Sequence, residues 1–160
     1  MAVSLVDQIL RNIDEARELY NRLILLVGPS GSGKTFVLQE VSTAKSVPLI
    51  NVNLELSRRM LDLTEHQRKL RASVLLEEIL RTTAYDPVLL DNTELLFDVR
   101  LALDPLRLLQ RLSRNRTVVA AWNGFVLEHH LTYADHGHPE FRRYPIQDFI
   151  VIDLNTLCPE

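Results

Sequence analysis

The stretch GPSGSGKT, from Gly28 to Thr35, fits the pattern G-x-x-x-x-G-K-[ST] with Gly28, Gly33, Lys34 and Thr35 on the fixed positions. These residue types suit a bound polyphosphate. Glycines let the backbone through Gly28, Pro29, Ser30, Gly31, Ser32 and Gly33 curl so that its N–H groups turn inward on phosphate oxygens. Lys34 brings a point charge to the β- and γ-phosphates. Thr35 brings a hydroxyl for the Mg²⁺ that bridges them. The plain alternative is a glycine-rich turn between a strand and a helix, with no ligand.

A phosphate loop of this kind calls for an acidic residue at the end of another buried strand, to hold Mg²⁺ through water. The segment PVLLDNTE supplies Asp91 after an apolar run, so Thr35 and Asp91 are the expected metal-holding residues. Glu94 follows closely and is a candidate general base for an attacking water. A solvated glutamate at a helix start is the other reading. Asn123, at the tip of TVVAAWNG, could orient that water or touch the γ-phosphate, or it could simply begin an Asn-Gly turn.

Elements must bring these residues together. Ser4–Tyr20 reads as an amphipathic helix, with Leu5, Ile9, Ile13 and Ala16 at helical spacing. Short apolar strands are expected at Arg22–Gly28, Val47–Leu54, Pro87–Asn92, Thr117–Asn123 and Asp148–Leu154. Helices are expected between them: from Lys34 to Ser46, from Thr64 to Thr83 with a capping box, and from Asp104 to Ser113 with Asp104 as cap and Pro105 at the first helical position. Alternating strands and helices predict an α/β fold, with a five-stranded, mostly parallel sheet covered on both faces. In such a sheet ligands bind at the carboxyl ends of the strands, where the loop, Asp91 and Asn123 all fall. The expectation is a single domain over 1–160: a helix to 20, a core over 22–154 and a tail from 155. Glu128–Ile146, rich in His, Pro and Arg, reads as irregular.

Composition narrows the classes. At net charge −3 the chain lacks the basic excess of a free-standing nucleic-acid-binding domain, so DNA contact would need a local patch or a partner. The lone Cys158 builds neither a disulfide framework nor a cysteine zinc site, which fits a reducing compartment. MAVSLVDQIL lacks the basic start of a signal peptide, and no apolar run nears the ~18 residues of a membrane span. A cytoplasmic protein is expected. His129, His130, His136 and His138, with Asp135, could bind zinc or nickel, but an ordinary polar loop explains them as well. Arg107, Arg111 and Arg114 share one helix face, open to phosphate, to an acidic partner or to solvent. Trp122 is expected to pack beside Asn123.

Gly28–Thr35, Asp91 and Asn123 fall in the order of the Walker A, Walker B and sensor 1 elements, and over 23–154 the chain resembles AAA+-type ATPases of the ASCE-like P-loop NTPases. More narrowly, GPSGSGKT, LLDNTELLF and the ending soon after the fifth strand resemble the BrxF proteins, small P-loop proteins of BREX-type bacteriophage-exclusion systems. The resemblance implies a three-layer fold, ATP and Mg²⁺ as ligands, hydrolysis that is slow or needs assembly, and self-association or assembly with other BREX components. Those components include a larger ATPase and machinery that methylates DNA.

It also implies an arginine finger from the segment before the last strand, where Arg142 and Arg143 match by location. Two surface arginines are the bland reading. AAA+ proteins usually place Glu directly after the Walker B Asp, whereas Asn92 stands here. Glu94 or Glu55, at the end of the second expected strand, is then the catalytic base, or hydrolysis is slow. The chain's end at Glu160 leads to the expectation that there is no C-terminal helical lid. A nucleotide-gated scaffold without catalysis and a small-molecule kinase remain the alternatives.

Overall fold

The computed structural model describes residues 4–134 and 137–157. Cys158, Asp135 and His136 lie outside the described residues. Five parallel strands form the main sheet in the order β2-β3-β4-β1-β8. They are β1 (Leu23–Val27), β2 (Leu49–Asn51), β3 (Val88–Asp91), β4 (Val118–Trp122) and β8 (Ile150–Asp153). Every residue of β1, β3 and β4 is buried, which is why they read as unbroken apolar runs instead of alternating ones.

Helices cover both faces. On one, α1 (Leu5–Ala16) and α2 (Lys34–Lys45) pack Ile9, Ile13, Val37, Leu38 and Val41 against Ile24, Leu26, Val119 and Ile152 of the sheet. On the other, α3 (Val52–Met60), α4 (Glu65–Arg81) and α5 (Pro105–Leu112) bury Leu56, Leu76, Ile79 and Leu109 against Leu25, Leu90 and Ala120. Successive strand residues thus feed opposite cores. The chain folds as three layers, helix–sheet–helix. The helix starts follow local chemistry. Thr64 and Gln67 cap α4 reciprocally, each side chain bonded to the other's backbone N–H. Asp104 caps α5 ahead of Pro105.

Three sequence expectations change. The second strand stops at Asn51 instead of running to Leu54. The Asn51 side chain accepts from Leu54 N–H and starts α3, so Glu55 stands in the first turn of a helix and not at a strand end. The last strand covers Ile150–Asp153 only, and Leu154, expected as its final residue, instead begins a short helix, α6 (Leu154–Leu157), that runs into the expected tail.

The segment 128–146 is not irregular. It contributes to an antiparallel three-stranded sheet of β5 (Gly124–Leu127), β6 (His130–Tyr133) and β7 (Arg142–Pro145). Leu131, Tyr133 and Tyr144 turn inward and join the main core, while Phe125, Leu127 and Arg143 face out. The period of two was masked by residues of low strand propensity and by the turns between such short strands.

Candidate functional site at the carboxyl ends of β1, β3 and β4

The strand order sets β4 between β1 and β3, so the chain leaving each of these strands reaches one common cleft of about 280 Å³. Gly31, Lys34 and Thr35 line one side, and Asp91, Glu94 and Asn123 the other.

The loop joins β1 to α2. Gly31 and Gly33 adopt left-handed backbones, with φ of 82° and 95°, and nothing stands where a Cβ would be. Glycine adopts this conformation without the steric cost that other residues meet. Gly33 is also the N-cap of α2, and its side-chain-free cap leaves the first N–H groups of the helix open to an anion. The Lys34 ammonium is folded into the loop. It donates to the carbonyls of Gly28 at 2.6 Å and Pro29 at 2.8 Å, and to Ser32 Oγ at 3.3 Å. Burial pushes its pKa below the usual lysine value, opposed by the negative charges of Glu94 and Asp91. A buried ammonium whose bonded partners are neutral oxygens suits a site that receives an anion.

Thr35 Oγ1 donates to Asp91 Oδ2 at 2.6 Å. Asp91 is the last residue of β3 and is 5% exposed. A hydroxyl oxygen and a carboxylate oxygen side by side are hard ligands of the kind Mg²⁺ takes. The donor set therefore fits the triphosphate and metal expected from the sequence: backbone N–H groups and Lys34 for phosphate, Thr35 and Asp91 for Mg²⁺.

After Asp91 the chain turns sharply. Asn92 is left-handed, at φ 51°, and its carbonyl accepts from Asn53 N–H at 2.9 Å. Thr93 is buried, and its hydroxyl donates to the Ala121 carbonyl at 2.6 Å, which ties the turn to β4. Glu94 then opens a 3₁₀ turn, Glu94–Phe97, and its carboxylate returns to the cleft. Asn123 Nδ2 donates to one Glu94 oxygen at 2.6 Å, and Asn53 Nδ2 donates to the other at 3.0 Å. Asn53 also accepts from Leu95 N–H at 2.8 Å.

Aromatic packing supports this corner. Phe97 stacks on Tyr133 with centroids 3.5 Å apart, and Trp122 stands edge-on to Phe97 at 4.9 Å. Trp122 Nε1 donates to the Thr132 carbonyl at 3.0 Å, so the strand that leads into Asn123 is pinned to β6. Burial pushes the Tyr133 phenol up to about 12, with Glu140 and Glu94 adding to the rise.

The structure thus brings Gly28–Thr35, Asp91, Glu94 and Asn123 together. Glu55 is elsewhere: its carboxylate pairs with Arg59 at 2.8 Å and Arg58 at 3.5 Å, and it lines a hollow along β2 instead of the cleft. Arg142 is half-buried and donates to the Leu103 carbonyl at 3.1 Å, whereas Arg143 faces out, its Nη2 3.3 Å from His130 Nδ1. The arginines of α5 are engaged separately: Arg107 with Asp104, Arg111 with Glu77, and Arg114, just beyond α5, over the ring of Tyr20. Among the described residues no three His, Cys, Asp or Glu side chains gather to hold a metal ion. Asn53 is the site residue that the sequence reading missed. The second asparagine in NVN was the available signal, hidden because the segment read as strand. Comparison with protein-family profiles, with curated proteins and with solved structures gave no match.

Proposed function

We propose that the protein binds ATP with Mg²⁺ in this cleft and hydrolyses it, as an AAA+-like P-loop ATPase subunit. One observation carries the reading. The loop ammonium and the Thr35–Asp91 pair face a carboxylate, Glu94, that is aimed into the cleft by two amides and, among the described residues, takes part in no ion pair. A carboxylate whose oxygens accept only from amides keeps acceptor capacity for a water proton.

Glu94 is the base in this reading. Asn92 leaves the strand in a left-handed turn, and Glu55 is spent on arginines. Asn123 orients the base through its amide and would contact the γ-phosphate of a bound nucleotide. Of the two candidate arginines, Arg143, on the outer face of β7, is the one exposed to a neighbouring subunit's phosphate in this reading.

The wider setting is a cytoplasmic, phage-defence complex of the BREX type, in which nucleotide drives assembly with partners. That part rests on the resemblance of GPSGSGKT and LLDNTELLF to the BrxF proteins. The test is one sample followed two ways: particle size with and without ATP–Mg²⁺, and release of phosphate. Phosphate release with a nucleotide-dependent change in size supports the reading. ATP binding without single-turnover hydrolysis would favour a nucleotide-gated scaffold, and no ATP binding would refute both.

A further inference from the structure

The cleft does not end at Glu94. Two hollows continue from it along α3. The nearer, of about 320 Å³, is lined by Asn53, Ser57, Glu94, Leu95, Asp98 and Glu140. The farther, of about 470 Å³, shares Ser57, Leu95 and Asp98 with it and adds apolar walls from Met60, Leu63 and Leu101. From Asn53 to Leu61 the helix rises by about 12 Å, the reach of roughly four extended residues.

The charge of this groove is one-sided. Glu65, Glu94, Asp98 and Glu140 line it, against Arg68 and Arg100. Arg100 pairs with Asp98 at 2.7 Å and also feels the charges of Glu65 and Glu140, so one guanidinium is set against three carboxylates. Arg68 directs its Nε–H to the carbonyls of Met60 and Leu63, both at 3.1 Å. Among the described residues Glu65, Glu94 and Glu140 take part in no ion pair. Leu61, 72% exposed, stands at the rim of the farther hollow.

We propose that this groove docks an extended segment of a partner protein that carries an arginine or lysine and, three residues on, a large aliphatic side chain. The cation meets Glu94 and Glu140, and the aliphatic group fills the hollow between Met60, Leu63 and Leu101. Charge complementarity selects this occupant. The unpaired carboxylates repel a nucleic-acid backbone. A long, open trough suits polypeptide better than a metabolite, whose site would enclose most of its surface. The spacing follows from reach, since three extended residues span about 10 Å and the length of the arginine or lysine side chain covers the rest of the ~12 Å along α3. Because the groove ends on Glu94, docking would bear on hydrolysis. That link rests on the function proposed above, whereas docking itself does not.

The test uses a fluorescein-labelled peptide pool of pattern Ala-Arg-x-x-Leu-Ala, its counterpart with Glu for Arg, and anisotropy on the full chain, with ATP affinity measured on the same samples. The arginine pool is expected to bind and the glutamate pool not. Leu61→Asp and Glu140→Lys, both at solvent-reachable positions, are each expected to weaken binding at least tenfold and to leave ATP affinity unchanged. Equal binding of the two pools, no binding of the arginine pool at roughly millimolar peptide, or binding untouched by both variants would overturn the proposal. ATP binding without peptide binding defeats the groove alone. Peptide binding without ATP binding defeats the nucleotide reading alone.

Discussion

Asn123 Nδ2 lies 2.6 Å from Glu94 Oε1, a bond between the tip of β4 and the turn that follows β3. It makes the position of one carboxylate depend on the register of two neighbouring strands. Glu94→Gln keeps the shape of the side chain but cannot take a proton. ATP binding should survive and turnover fall by roughly 10²- to 10⁴-fold. Asn123→Ala should lower kcat in the same direction but less, with KM nearly unchanged. Unaltered turnover in Glu94→Gln would remove Glu94 from the chemistry.

Lys34→Ala should cost roughly 10- to 100-fold in ATP affinity, the range for loss of a charge-assisted bond. The fold should persist, since among the described residues the hydrogen bonds of the ammonium stay within the loop. Titration calorimetry reads the affinity and far-ultraviolet circular dichroism the fold. A variant that binds ATP like the parent would refute the phosphate-loop assignment.

Lys34 also predicts a pH dependence. Burial lowers its pKa, so the charged form is lost as pH rises, starting below the ordinary lysine value of 10.5. ATP affinity should therefore decline on the alkaline side before that value, and Lys34→Arg should flatten the decline. The sign for stability is the reverse. Between the depressed folded value and 10.5 the unfolded chain binds more protons, so the contribution of Lys34 to stability rises with pH in that window. An affinity flat to pH 10.5 in the parent would contradict the buried ammonium.

Asp91 accepts from Thr35 and is expected to hold Mg²⁺ through water. Asp91→Ala should weaken ATP binding in Mg²⁺ several-fold more than in chelator. Equal losses under both conditions would mark Asp91 as a structural residue only.

The two arginines of β7 separate by exposure. Arg143→Ala should lower turnover with little change in ATP affinity, because a charge supplied to a neighbour acts on the transition state. Arg142→Ala should act on stability instead, through its bond to the Leu103 carbonyl. Mixing Lys34→Ala with Arg143→Ala protein should recover part of the activity, one chain supplying the site and the other the charge. No recovery, with specific activity independent of concentration, would leave a site completed within one chain.

The layout of this protein was largely written in local sequence. Buried parallel strands announce themselves as short apolar runs, and the loop glycines, the Thr64–Gln67 box and the Asp104–Pro105 start are local devices whose physics spans a few residues. Gly28–Thr35 and Asp91 could be named for that reason. The partners of Glu94 could not. Asn53 and Asn123 meet that carboxylate across sequence separations of 41 and 29 residues, and only the strand order and the cap that turns the chain at Asn51 set them there. The placement of Glu55 beside Arg58 and Arg59 away from the cleft, the inward and outward faces of β7, and the small sheet itself were likewise decided by the tertiary structure, because a period of two over four residues carries too little pattern to stand against its composition.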